Sequence, residues 1–177
     1  MIKTINKNLN VIESMLYFWQ ATKEKEKVGE NYLVTLSEYD EMKLLYSDDF
    51  DAESVRKSLS AISNREMLNG GTQKERQFWN NNMWMLEDMD YMRMMVDPLK
   101  KLSLDTLVDS INSKKDIAQK EIEVVFIPAN KEEYIIKGNK LVINFFKVTP
   151  DLMDEEKTTI EGKNLIEYIE EKILENF

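Results

Sequence analysis

EIEVVFIPANKEEYIIKGNKLVINFFKV, residues 121–148, decides the fold of this chain. Glu121 to Ile127 is rich in β-branched residues and stops at Pro128, which predicts a strand. Tyr134 to Lys137 predicts a second. Gly138-Asn139 fits a two-residue hairpin turn, with both residues tolerant of positive φ. Lys140 to Val148 predicts a third strand, apolar on both faces. Leu141, Ile143 and Phe145 point one way; Val142, Phe146 and Val148 point the other. The three runs predict a three-stranded antiparallel meander.

Everything before this block reads as helix. Ile5, Leu9, Ile12, Leu16 and Trp19 recur at spacings of four and three, so the periodicity predicts one amphipathic helix from Lys3 to Lys27. Tyr32 to Leu36 breaks the pattern as a short β-prone run. Ser37 opens a helix through Met42 and Leu45. Asp51 caps a helix carrying Val55, Leu59 and Ile62, which Asn69-Gly70-Gly71 ends. Thr72 and Glu75 form a capping box, and the helix they open runs to Val96, ahead of Asp97-Pro98. Ser103 caps a short helix through Leu104, Leu107 and Ile111. After the meander, residues 150–162 form an acidic irregular connection. Asn164 to Asn176 then closes the chain as a helix along Leu165, Ile169 and Ile173.

The expected architecture is therefore α+β. An N-terminal helical layer of about five helices precedes the meander and a C-terminal helix. A length of 177 residues fits one domain, 1–177, with a helical portion over 1–115 and the meander and closing helix over 120–177.

Composition narrows the chemistry. Cysteine and histidine are both absent, which removes thiolate chemistry, the usual neutral-pH general base and the commonest transition-metal ligand. Gly70-Gly71 lacks the following Lys-Ser/Thr of a phosphate loop. No catalytic residue, cofactor or metal site is predicted, and the chain reads as a non-enzyme. The net charge is −9, and acids outnumber lysines most strongly in residues 121–177. That disfavours nucleic acid and favours a basic protein partner. No run of apolar residues is long enough for a membrane span, and no secretory signal is visible, so a cytoplasmic protein is expected. Lysine outnumbers arginine and asparagine is frequent, a leaning of AT-rich bacterial or phage genomes.

Two regions stand out as candidate sites. Six of the eleven methionines lie between Met83 and Met95. Phe78, Met85, Met89, Met92 and Val96 form one stripe, with Trp79, Trp84 and Tyr91 on others. A helix apolar around most of its circumference belongs in a core. Met and Trp also line adaptable apolar pockets. Asn80-Asn81-Asn82 interrupts this helix with weak helix formers. Trp79, Asn81, Asn82, Trp84, Met85 and Met89 are therefore the candidate ligand-binding residues. The second region is the outer face of the third strand, Val142, Phe146 and Val148. It is a candidate surface for a protein partner or a homodimer.

Glu38 and Glu41 are three residues apart, as are Glu87 and Asp90, so each pair shares a helix face. In these four residues the chain resembles the all-α nucleotide pyrophosphohydrolases. The resemblance implies Mg²⁺-dependent hydrolysis of a nucleoside triphosphate. Three functions follow, in order of expectation. The first is a protein-binding module, of which an immunity or antitoxin-like inhibitor is one version. The second is a small-ligand-binding domain with a Met/Trp-lined pocket. The third is a Mg²⁺-dependent nucleotide phosphohydrolase.

Overall fold

The computed structural model describes Met1–Phe177 and is α+β. The chain order is β1 (Thr4–Asn8), α1 (Asn10–Lys23), α2 (Glu30–Glu38), α3 (Asp40–Lys43), α4 (Ala52–Ser63), α5 (Gln73–Glu87), α6 (Met89–Lys101) and α7 (Asp105–Lys114). Then come β2 (Glu121–Ile127), β3 (Tyr134–Lys137), β4 (Lys140–Asn144), β5 (Val148–Thr149), β6 (Thr159–Ile160), β7 (Lys163–Asn164) and α8 (Leu165–Asn176). No helix is long and apolar enough to cross a membrane.

The chain divides into two compact units. The helical unit comprises Asn10–Met92 with Ile127–Glu132. The β unit comprises Met1–Leu9, Arg93–Phe126 and Glu133–Phe177.

In the helical unit, α2 and α5 both pack on α4, and α1 packs on α5. The core of α1 is Val11, Ile12, Met15, Phe18 and Trp19, all fully buried. The caps expected at Asp51 and Thr72 are present, whereas Ser37 lies inside α2 and Tyr39 holds the N-cap position of α3. Asp51 accepts from the Ser54 amide at 3.0 Å, and Ser54 Oγ accepts from the Asp51 amide at 3.0 Å. Thr72 Oγ1 accepts from the Glu75 amide at 3.1 Å, while Glu75 Oε1 accepts from the Thr72 amide at 2.7 Å. Glu75 is itself buried, and its other oxygen meets Lys57 Nζ of α4 at 2.8 Å. One side chain thus starts α5 and ties it to α4.

Tyr32 to Leu36 lies inside α2 and is not a strand. Leu33 and Leu36 are buried three apart while Val34 and Thr35 face solvent, so packing on α4 overrides the β propensity of the run. The long helix expected from Thr72 to Val96 is two helices. Asp88 adopts an extended conformation between α5 and α6 (φ −142°, ψ 92°) and its carboxylate accepts from the Tyr91 amide at 2.9 Å. Pro98 does not end the second helix. It sits inside α6, which runs to Lys101.

In the β unit the strand order is β1-β2-β4-β3, so the three runs over 121–148 are not a meander: β4 lies between β2 and β3, and the three-stranded sheet paired in chain order is β5-β6-β7. The strands expected at 121–127 and 134–137 are present, and β3 and β4 pair antiparallel with Lys137 opposite Lys140. At the turn only Gly138 has positive φ, at 59°, which is a type II′ pattern rather than one with both residues left-handed. Strand β1 replaces the start of the expected N-terminal helix. It runs parallel to β2, with Thr4 opposite Glu121 and Asn8 opposite Val125. Asn6 and Asn8 are weak helix formers, and Ile5 gains a buried place beside Ile122. Asn112 of α7 holds this segment by a reciprocal pair with the Ile2 backbone, at 2.9 and 2.8 Å. Lys7 donates to the Leu99 carbonyl at the C-terminal end of α6 at 2.9 Å.

Strand β4 ends at Asn144 and does not continue to Val148. The Asn144 carboxamide accepts from the Phe146 amide at 3.1 Å and turns the chain into a 3₁₀ turn at Phe145–Lys147. Ser103 does not cap α7, whose N-cap position is Leu104 without a side-chain bond. The stretch from Pro150 to Gly162 is not wholly irregular. It carries a 3₁₀ turn at Glu155–Lys157 and β6, which with β5 and β7 makes an antiparallel three-stranded sheet. Asn164 then caps α8, accepting from the Ile166 amide at 3.0 Å.

Candidate functional site

A groove of about 700 Å³ opens in the helical unit, lined by Asn10, Glu13 and Ser14 of α1, Tyr32 and Glu38 of α2, Tyr39, and Asp40 and Glu41 of α3. These residues meet because Tyr39, extended at φ −59° and ψ 136°, breaks the helix between α2 and α3. The break turns Asp40 and Glu41 toward the start of α1. Two tyrosines share one serine. Tyr32 Oη donates to the Ser14 carbonyl at 2.6 Å, and Tyr39 Oη lies 2.9 Å from Ser14 Oγ. With both hydroxyls held, the ring planes are fixed. Tyr17 packs edge-on against Tyr32, with centroids 5.1 Å apart. Burial raises the Tyr32 phenol above its ordinary value, against the opposing pull of the Ser14 side chain.

Four carboxylates line this groove, and no lysine or arginine does. Asn10 Nδ2 donates to Glu41 at 3.1 Å, and Asp40 has a long contact of 4.0 Å to Lys43. Glu13 and Glu38 make no hydrogen bond or ion pair. The groove therefore offers fixed aromatic walls and two uncommitted negative charges.

Of the two acidic pairs noted in the sequence, Glu38 and Glu41 belong to this groove. Glu87 ends α5 and Asp90 lies in the first turn of α6, and neither lines it. No group of three or more acidic side chains is placed to hold a metal ion.

The Met/Trp candidates have different fates. Asn82 is fully buried. Its Oδ1 accepts from Trp19 Nε1 at 3.0 Å, and its Nδ2 donates to the Phe78 carbonyl at 2.9 Å. Asn81 donates to the Ala129 and Asn130 carbonyls at 3.3 and 3.1 Å and accepts from Gln77 at 2.8 Å. Both amides are thus engaged within the unit, one joining α5 to α1 and the other holding the loop 127–132. Trp79 is half-buried, and its indole N–H has no acceptor. Met85 is buried, Met89 half-buried, and Trp84 is 64% exposed. On the β unit, Val142 and Val148 are buried within the chain, and Phe146 is half-buried with its ring 5.8 Å from that of Phe145.

Sequence reading missed Glu13, Ser14, Tyr32 and Tyr39. The available signal was the tyrosine density between Tyr17 and Tyr39, which carries meaning only once α1 and α2 lie side by side. Comparison with known protein families, characterised proteins and solved structures returned no match.

Proposed function

We propose that this chain is a cytoplasmic, non-enzymatic protein-binding module whose partner presents basic side chains to the groove between α1, α2 and α3. An inhibitor of the immunity or antitoxin kind is one version of this reading. The observation that carries it is the lining of that groove: four carboxylates, no cation, and tyrosines held by Ser14. Such a surface attracts and orients a cationic segment by charge complementarity. The net charge of −9 steers the same partner from a distance.

Isothermal titration with a short arginine–glycine repeat peptide, against a glutamate–glycine repeat of equal length, tests the reading. The basic peptide binds, more weakly as salt rises, and the double variant Glu13→Lys/Glu38→Lys abolishes binding. Equal behaviour of the two peptides, or an unaffected double variant, sinks the proposal.

A further inference from the structure

Trp84 stands apart from the other two tryptophans. Trp19 is fully buried and Trp79 half-buried, whereas Trp84 is 64% exposed and makes no ring contact or hydrogen bond. The helix cannot turn it inward. Asn82, two residues earlier, is bonded to Trp19 on α1 and to Phe78 one turn back, which fixes the rotational setting of α5. Met85 and Leu86 occupy the inward face. Successive helix residues point about 100° apart, so Trp84 is directed outward by the same bonds that pack its neighbours.

Acidic residues follow this indole along the helix. Glu87, three residues on and on the same face of α5, is exposed and has no partner. Asp88 follows, its carboxylate engaged by the Tyr91 amide. The C-terminal end of α5 adds its partial negative charge. Lys23, which reaches this end, is committed to the Leu86 carbonyl at 2.7 Å. An aromatic face beside an unpaired carboxylate suits a guanidinium or ammonium, whose methylene stem covers the ring while its charge meets Glu87. Arginine suits it better, because its planar group both stacks and forks.

We propose that the Trp84–Glu87 face of α5 is a second contact surface, which receives an arginine- or lysine-bearing segment of a protein partner. The proposal rests on the basic-partner reading of the groove and adds to it an aromatic anchor of the kind that dominates interface energetics.

The test follows tryptophan emission during titration with the arginine–glycine repeat peptide. With Trp19 fully buried and Trp79 half-buried, the exposed indole dominates the solvent-sensitive signal, which shifts to the blue on binding. Trp84→Ala weakens binding about tenfold and Glu87→Gln a few-fold, with circular dichroism unchanged. Unaltered affinity in Trp84→Ala, together with loss in Glu13→Lys/Glu38→Lys, overturns this inference and leaves the groove reading standing. Absence of any basic-peptide binding overturns both. A wild-type dimer that Trp84→Ala converts to monomer in light scattering makes the occupant a second copy, and also overturns it.

Discussion

The Trp19 indole donates to the Asn82 carboxamide at 3.0 Å, and both side chains are wholly shielded from water. This bond joins α1 to α5 through the core of the helical unit. Asn82→Leu leaves the indole N–H without an acceptor, and a buried unsatisfied donor of this kind costs about 2–3 kcal/mol. Urea denaturation measures it. Trp19→Phe in the same background removes the orphaned donor, so the double variant loses less than the sum of the two singles. Strict additivity would show that the bond does not hold in solution.

Glu75 makes the stability of the helical unit depend on acid. Burial alone would push its carboxyl up, but the Lys57 ammonium, the Thr72 amide and the Ser54 hydroxyl outweigh burial and hold it at about 2, against 4.5 for the free group. A depressed folded-state value means that the unfolded chain binds the proton first. The contribution is therefore complete above pH 4.5 and is lost as pH falls from there towards 2. The loss is on the order of 2–3 kcal/mol, and Glu75→Gln removes it. Thermal melts of the two proteins across that window decide the matter. Parallel pH profiles would refute the assignment.

Gly70 and Gly71 both have positive φ, at 73° and 86°. An added Cβ at Gly70 meets nothing within 4 Å, whereas at Gly71 it comes 3.0 Å from Glu75 Oε1. That oxygen is pinned by the Thr72 amide. Gly70→Ala costs about 1 kcal/mol from backbone strain alone, and Gly71→Ala costs measurably more. Equal losses in chemical denaturation would mean that the capping box is looser than described.

Trp84→Ala leaves stability within about 0.5 kcal/mol of the wild type, as expected of a solvent-facing position. Trp19→Ala costs about 3–5 kcal/mol through the cavity it leaves. Denaturation curves separate the two. A large loss on truncating Trp84 would show that its ring supports the fold.

Much of the local chemistry was readable from the sequence, though not the breaks at Asp88 and Asn144 or the start of α7, and distant pairing was not. The caps at Asp51 and Thr72, the Gly138 hairpin and helix α8 depend on residues within a few positions of one another, and all four are present. Strand β1 was hidden because Ile5 and Leu9 extend the helical stripe of α1, while the strand's partner begins at Glu121. Helix α2 was hidden because Tyr-Leu-Val-Thr favours a strand until α4 offers a surface to Leu33 and Leu36. The same reasoning applies to the groove. Glu38 and Glu41 are visible as a pair, but Glu13 and Tyr32 join them only through packing. Asn82 was noticeable as an oddity in the helix, and its buried partner Trp19 lies on another element.

The parallel pairing of β1 with β2 sets a timetable. Thr4 leaves the ribosome long before Glu121, its partner in the ladder. At synthesis rates of about 5–20 residues per second, β1 waits on the order of ten seconds with its backbone groups unpaired. The residues Asn10–Met92 belong to one compact unit with Ile127–Glu132, so most of that unit emerges during the wait. An exposed strand is ordinarily a template for aggregation. Thr4-Ile5-Asn6-Lys7-Asn8 carries one apolar side chain among polar and charged ones. That composition suits a segment that must stay single until its neighbour is made.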